Sequence, residues 1–287
     1  RSEAEHQAEV LRELERKEFV RREGRSSAGR KTAYAFCHVL VRDVAYGQIP
    51  RRARAEKHRL AAEWIESLPR PEDHAESIAH HYACALEFAS VAHKDTGALA
   101  DRTRQRLWLA GDRSARLNAF PAAARFYGHA VDLWPEDDPG RPPLLARYGH
   151  ALHFAEGRGQ AELAEAVEGL LAQGDRETAA EAEVLLAESA WYGADRAKSN
   201  RHLERAAALV AGAQSSRSKA RVLGGIARSY MLGGRAQEAI DVGRVALRLA
   251  ESLGLEELRA QALSYIGGAR VRSGDSAGLE DSRLAVE

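Results

Sequence analysis

Cysteine occurs twice in 287 residues, at Cys37 and Cys84. Two are too few for a disulfide framework and have no zinc-site spacing, so a reducing compartment fits. Long apolar runs are missing as well. Stretches such as AAALVAGA (206–213) are short and alanine-rich, well below the roughly 18 to 20 residues of a membrane span, and no signal peptide opens the chain. A soluble cytoplasmic segment with no membrane partner is expected. The chain begins at Arg1 rather than methionine and stops at Glu287 within an apparent helix, which reads as a piece of a longer polypeptide.

Convergent catalytic groups are also lacking. Neither a nucleophile motif nor H-E-x-x-H occurs. In AHHYAC, His80 and Cys84 stand at i, i+4, but no third ligand of suitable type lies nearby, so packing and capping are the expected tasks. GGARVRSG (267–274) lies inside a helical pattern and is no dinucleotide fingerprint. The expectation is no enzyme, no catalytic residue, no metal and no cofactor within this segment.

Net charge is absent overall, since Lys plus Arg and Asp plus Glu both number 42, but it is unevenly spread. Residues 16–59 carry 13 basic and 4 acidic side chains, a local charge of +9, whereas residues 60–287 sum to −6. The opening sixty residues therefore form a basic module on a mildly acidic body. Within it, AEHQAEVLRELERKEF (4–19) places Val10, Leu11 and Leu14 at helical spacing, so an amphipathic helix is predicted to end near Lys17.

GRSSAGRKT (24–32) approximates a phosphate-binding loop, G-x-x-x-x-G-K-[ST], except that Arg30 is inserted before Lys31. A true phosphate loop follows a buried apolar strand and opens a helix. Here FVRRE precedes it and the alternating TAYAF (32–36) follows, so the stretch is predicted to be the polar tip of a β-hairpin. HVLVRDVAYGQIP (38–50) then reads as a helix up to Pro50. RARAEKHRLAAEWIESL (52–68) reads as another, with Leu60, Trp64, Ile65 and Leu68 as its apolar stripe. Of Arg42 and Asp43, which cannot both pack inward, one is expected to bond the hairpin and the other the next helix. Helix, hairpin and helix suggest a winged-helix module, with Arg21, Arg22, Arg25, Arg30 and Lys31 as a basic surface.

From Leu99 onward the pattern is one of helical hairpins. In RLWLAGDRSARLNAFPAAARFYGHAVDLWP (106–135), Leu107, Gly111, Ala123, Tyr127, Ala130 and Pro135 occupy tetratricopeptide positions. Later units repeat at an offset of 40: residues 188–209 align with 228–249, and 222–235 with 262–275. Turns are predicted at Gly157, Gly193, Gly233 and Ser273. Such pairs stack into a superhelix with a concave surface. On the first helix of each repeat a polar column recurs at Glu181 and Glu188, Arg221 and Arg228, and Gln261, with Trp191 and Tyr192 beside it. This column reads either as a surface for a protein or peptide partner or as a solvated helix face.

FCHVLVRDVAY (36–46), followed by RRARAEKHRLAAEWIE (51–66) and AHHY (79–82), resembles the segment that joins the ATPase domain to tetratricopeptide-like repeats in signal-transduction ATPases with numerous domains (STAND ATPases). In bacteria such segments occur in large regulators that also carry a nucleotide-cyclase or LuxR-type DNA-binding domain. The resemblance covers residues 4 to about 135 in detail. It implies an ATP- or ADP-binding domain upstream, in cis. It also implies that His38, at the hairpin-to-helix junction, contacts the β-phosphate of ADP. Cys37 and Val39 stand where that family has methionine and aspartate. Otherwise His38 reads as a partly buried histidine satisfied by backbone.

The expected architecture is mainly α: a basic winged-helix module with a short β-hairpin over residues 1–68, connecting helices over 69–98, and a tetratricopeptide-like superhelix over 99–287. The expected role is regulatory, coupling a partner on the repeats to the upstream domain. The alternative is a DNA-binding transcriptional regulator using the basic module, although VLVRDVAYGQI offers few polar groups to base edges.

Overall fold

A computed structural model describes residues 3–25, 32–91 and 96–286. Residue contacts divide the chain into two compact units, 1–110 and 111–287.

The first unit opens with α1 (Glu3–Arg16), an antiparallel pair β1 (Val20–Arg25) and β2 (Thr32–Phe36), and α2 (Val39–Gly47). The chain leaves α1 through Glu18 in the left-handed region, φ 58°, and the Phe19 amide closes back on the Leu14 carbonyl at 3.0 Å. That reversal seats Val20 opposite Phe36 and Arg22 opposite Tyr34 in the strand pair. Strands therefore flank GRSSAGRKT as in a hairpin; residues 26–31 of that stretch, Arg30 and Lys31 among them, lie outside the described residues.

Then come α3 (Arg51–Glu66), a 3₁₀ turn at Pro71–His74, α4 (Ala75–Ser90) and the start of α5 (Gly97–Arg116). The core of this unit sits between α3 and α4, where Ala62, Ile65, Ile78 and Tyr82 cluster with Leu68 and Leu99 against them. The expected α3 stripe is only half right. Ile65 is buried, but Leu60 and Trp64 are 50% and 44% exposed, because α3 turns its small Ala62 face, rather than Leu60 and Trp64, toward α4. Helix α2 forms as the spacing predicts, yet buries no residue; Val39, Leu40 and Val44 all face outward. Arg42 and Asp43 do not reach to separate neighbours as expected. They pair with each other at 2.7 Å, on a helix whose outer face is uncovered.

The second unit is a row of helical hairpins: α6 (Phe120–Leu133), α7 (Arg141–Glu156), α8 (Gln160–Ala172), α9 (Arg176–Tyr192), α10 (Arg196–Val210), α11 (Arg217–Leu232), α12 (Ala236–Ser252), α13 (Glu256–Arg272) and α14 (Gly278–Leu284). Its first hairpin shows how the small residues work. A β-carbon on Gly111 would lie 2.5 Å from the Tyr127 ring, so only glycine lets Tyr127 fill the gap between helices. The Tyr127 hydroxyl donates to Asp112 at 2.6 Å, and burial pushes its pKa up.

The forty-residue period is written in the turns. After α9, α11 and α13 the residue following Gly193, Gly233 and Ser273 is left-handed: Ala194, Gly234 and Gly274. In each case the next amide closes back toward the helix, Asp195 to Ala190, Arg235 to Tyr230 and Asp275 to Arg270, all at 2.9 Å. This Schellman closure reverses the chain in three residues and fixes the hairpin angle. Asp175, Asp195 and Ser216 then cap the helices that follow, accepting from Thr178, Lys198 and Lys219 amides. Between hairpins, α7 touches α9, α9 touches α11 and α11 touches α13. The first helix of each pair therefore forms a continuous row, and the unit winds as a helical superhelix with that row inside.

Candidate functional site

The polar column expected on the first helices falls on this row, and its members meet one another. Arg221 on α11 donates to Glu181 on α9 at 2.9 Å, and Arg228 pairs with Glu188 at 2.8 Å. One row over, Arg217 approaches Glu257 on α13 at 3.5 Å. Each pair is separated by 40 positions, so the repeat places opposite charges at equivalent sites of neighbouring helices. Gln261, the next member after Glu181 and Arg221, is exposed. Trp191 is half-buried beneath Arg196, whose guanidinium lies 4.9 Å from its ring, while Tyr192 is 69% exposed.

Glu188 is the best-connected of these. Besides Arg228 it faces His153 from α7, with Nε2 3.8 Å away, and His153 Nδ1 is 3.1 Å from the Ser189 hydroxyl. Hydrogen bonding from His153, with Arg228 adding to it, holds the Glu188 pKa down to about 2 against the burial that opposes it. Next to it, burial drives the His150 pKa down to about 4, helped by the charges of His153 and Arg221. His150 packs with Phe120 and Phe154, and Phe154 is itself half exposed. The face is thus a fixed lattice of paired charges bordered by exposed aromatic rings. Along it the charges are already matched, and Phe154 and Tyr192 remain open to solvent.

In the first unit His38 stands at the N-cap of α2 in extended conformation, with no side-chain capping bond, and is exposed rather than partly buried. Arg21 and Arg22 lie on β1, paired with Glu23 at 3.3 Å and Glu15 at 3.1 Å. Arg25 ends β1 opposite Thr32.

Three polar centres are not foreseen by the sequence pattern. Glu183 is fully buried in α9, with His202 at 2.6 Å and Arg205 at 3.0 Å from α10. Its spacing from Ala179, Ala182, Leu186 and Ala187 places it on the core stripe, and that spacing is the signal the sequence holds for it. Glu66 binds Arg106 at 2.7 Å and accepts from the Tyr82 hydroxyl at 3.0 Å; burial, then Glu66, push the Tyr82 pKa up to about 12. The third is a chain of histidines between α3 and α4. Among the described residues no group of three or more His, Cys, Asp or Glu is arranged to hold a metal, and no helix is long and apolar enough to cross a membrane.

No protein-family model and no curated protein matches the chain. Solved structures do. BtubC (BKLC) from P. vanneervenii superposes with a TM-score of 0.54 at 14% identity, over 74% of this chain and 88% of that one. A variant of a putative kinesin light chain from Podosopora anserina, built of nearly identical TPR-like repeats, gives 0.51 at 17% identity, over 67% and 97%. The repeats have a tetratricopeptide-like fold. At such identities the likeness is one of fold alone.

Proposed function

We propose that the chain is a non-catalytic protein-interaction region whose repeats hold a protein or peptide partner on the first-helix row. In this reading residues 1–68 act as a winged-helix-like connector that passes the binding event to an upstream ATP- or ADP-binding domain of a STAND-type ATPase. The observation that carries the reading is the charge lattice Glu181–Arg221 and Glu188–Arg228 with Tyr192 exposed beside it. These pairs hold polar groups in fixed positions beside an uncovered tyrosine, the kind of residue on which binding energy concentrates. The connector role is supported by α2, whose apolar residues point outward and suit a protein surface better than base edges. That contrast favours protein partners over duplex DNA for the basic module.

In this reading His38, exposed at the N-cap of α2 with no side-chain capping bond, donates to a phosphate oxygen of the upstream domain. Coupling of this kind is a free-energy link between two surfaces, one binding the partner and one closing on nucleotide. In the full-length protein, His38→Ala is expected to speed release of a fluorescent ADP analogue by about tenfold, the effect of losing one charge-assisted hydrogen bond. Release at the wild-type rate would remove the nucleotide-sensing role.

A further inference from the structure

Helix α2 buries no residue of its own, and two of the side chains that tie it to its unit are histidines. The Tyr46 hydroxyl, near the end of α2, lies 2.8 Å from His58 Nε2 on α3. His58 Nδ1 in turn lies 2.9 Å from His81 Nδ1 on α4. The rings pack as well: Tyr46 sits edge-on to His58, and Phe88 stacks on His58 at 5.9 Å. The other tie is Arg54, which donates to the Ile49 and Gly47 carbonyls at 2.7 Å and lies over the Tyr46 ring.

A bond between two Nδ1 atoms needs one proton and one lone pair. The chain therefore exists only while at least one imidazole is neutral. If His58 carries the shared proton, its Nε2 accepts from Tyr46; if His81 carries it, His58 donates to Tyr46 instead. Either arrangement keeps all three side chains bonded. Adding a second proton sets two N–H groups against each other at the distance of a hydrogen bond, with both lone pairs used up.

We propose that Tyr46, His58 and His81 form an acid-opened latch that holds α2 against α3 and α4 at neutral pH and releases it when the histidine pair becomes doubly protonated. The groups facing this pair do not rescue the charged state. His80 on α4, 6.3 Å from His58 and 5.5 Å from His81 between ring centres, would add like charge. Arg54 on α3 is already a cation. Cys84 on α4 is half-buried with its thiol pKa pushed up by burial, and so is neutral. The Glu87 carboxyl on α4 acts on Tyr46 and Cys84 and on neither histidine of the pair.

Burial, together with His80, holds the His58 pKa below 6.5, and burial with His58 and His80 does the same for His81. The sign follows. A folded-state pKa below the unfolded value means that stability is intact above 6.5 and declines as the pH falls through the folded values. Opening frees the apolar residues of α2 to reorient while Arg54 keeps the chain attached, whatever surface α2 meets.

Hydrogen exchange of the α2 amides in the whole chain, corrected for intrinsic pH dependence, tests this. Between pH 7.5 and 5.0 protection over residues 42–49 is expected to fall by about tenfold, while α9–α12 keep theirs. Tyr46→Phe, an exposed change that leaves the core alone, should give the low-pH pattern already at pH 7.5. His81→Gln, which bonds without titrating, should remove the acid step. Equal protection at both pH values, an acid loss shared by the second unit, or a Tyr46→Phe chain that behaves as wild type would each overturn the latch.

Discussion

Gly111 and Tyr127 show how a single pair carries information from sequence to fold. The spacing of six positions, Gly111 and Tyr127 among them, points to a tetratricopeptide hairpin, and the ring of Tyr127 occupies the space that a side chain at 111 would need. Gly111→Ala is expected to destabilise the protein by about 1 to 3 kcal/mol through overpacking, read as a lower midpoint in urea; an unchanged midpoint would mean that the helices separate freely. Glu183 marks the opposite limit. A glutamate in a helix reads as solvated, and only the partner helix, bringing His202 and Arg205 alongside, makes burial of a carboxylate tolerable. That information lies 19 positions away for His202, beyond the reach of any local pattern.

At the scale of elements, periodicity locates the helices well because each hairpin repeats one design: a helix, a Schellman turn, a second helix. The predicted turns at Gly157, Gly193, Gly233 and Ser273 are each the residue that ends its helix; Gly157 is itself left-handed, while after the other three the left-handed residue follows. Packing partners are less legible. The apolar stripe of α2 implies a helix but not an unburied one, and the column on α9, α11 and α13 gives positions but not the pairing between them. Charge pairing across 40 residues depends on how closely neighbouring hairpins stack, which hydrophobic spacing alone does not set.

The pairing has a measurable consequence. Glu188, held to about 2 by His153 and Arg228, contributes stability that is complete above about pH 4.5 and lost as the pH falls through its folded value, on the order of 3 kcal/mol in all. Glu188→Gln should weaken the protein at pH 7 and flatten the acid limb of its stability profile below about pH 4.5. An acid limb with wild-type slope would show that this carboxylate is not the one being titrated. The more exposed Glu181–Arg221 pair is expected to contribute under about 1 kcal/mol, so its value lies in fixing the face rather than in holding the fold.

Across the whole molecule, the two units differ in how completely they satisfy themselves. The repeat unit buries alanine, leucine and valine in a continuous core from Leu145 through Ile226, each hairpin covering the next, as expected for an array stabilised by nearest neighbours. The opening unit keeps its core between α3 and α4 and leaves α2 uncovered. The array covers its own apolar surface hairpin by hairpin, whereas α2 presents Val39, Leu40 and Val44 to solvent. The winged-helix reading rests on the helix–hairpin–helix pattern, on charge and on resemblance; the repeat fold rests on spacing, and it is the repeat fold that the solved structures share.

The central claim is that the partner lies along the first-helix row. A photo-crosslinking residue placed at Tyr192 or Gln261 on that row, and at exposed Arg244 on α12, tests it in cells expressing the full-length protein. Adducts with one and the same protein at 192 and 261, and none at 244, are expected. Adducts of equal yield at all three positions, or at 244 alone, would contradict the claim.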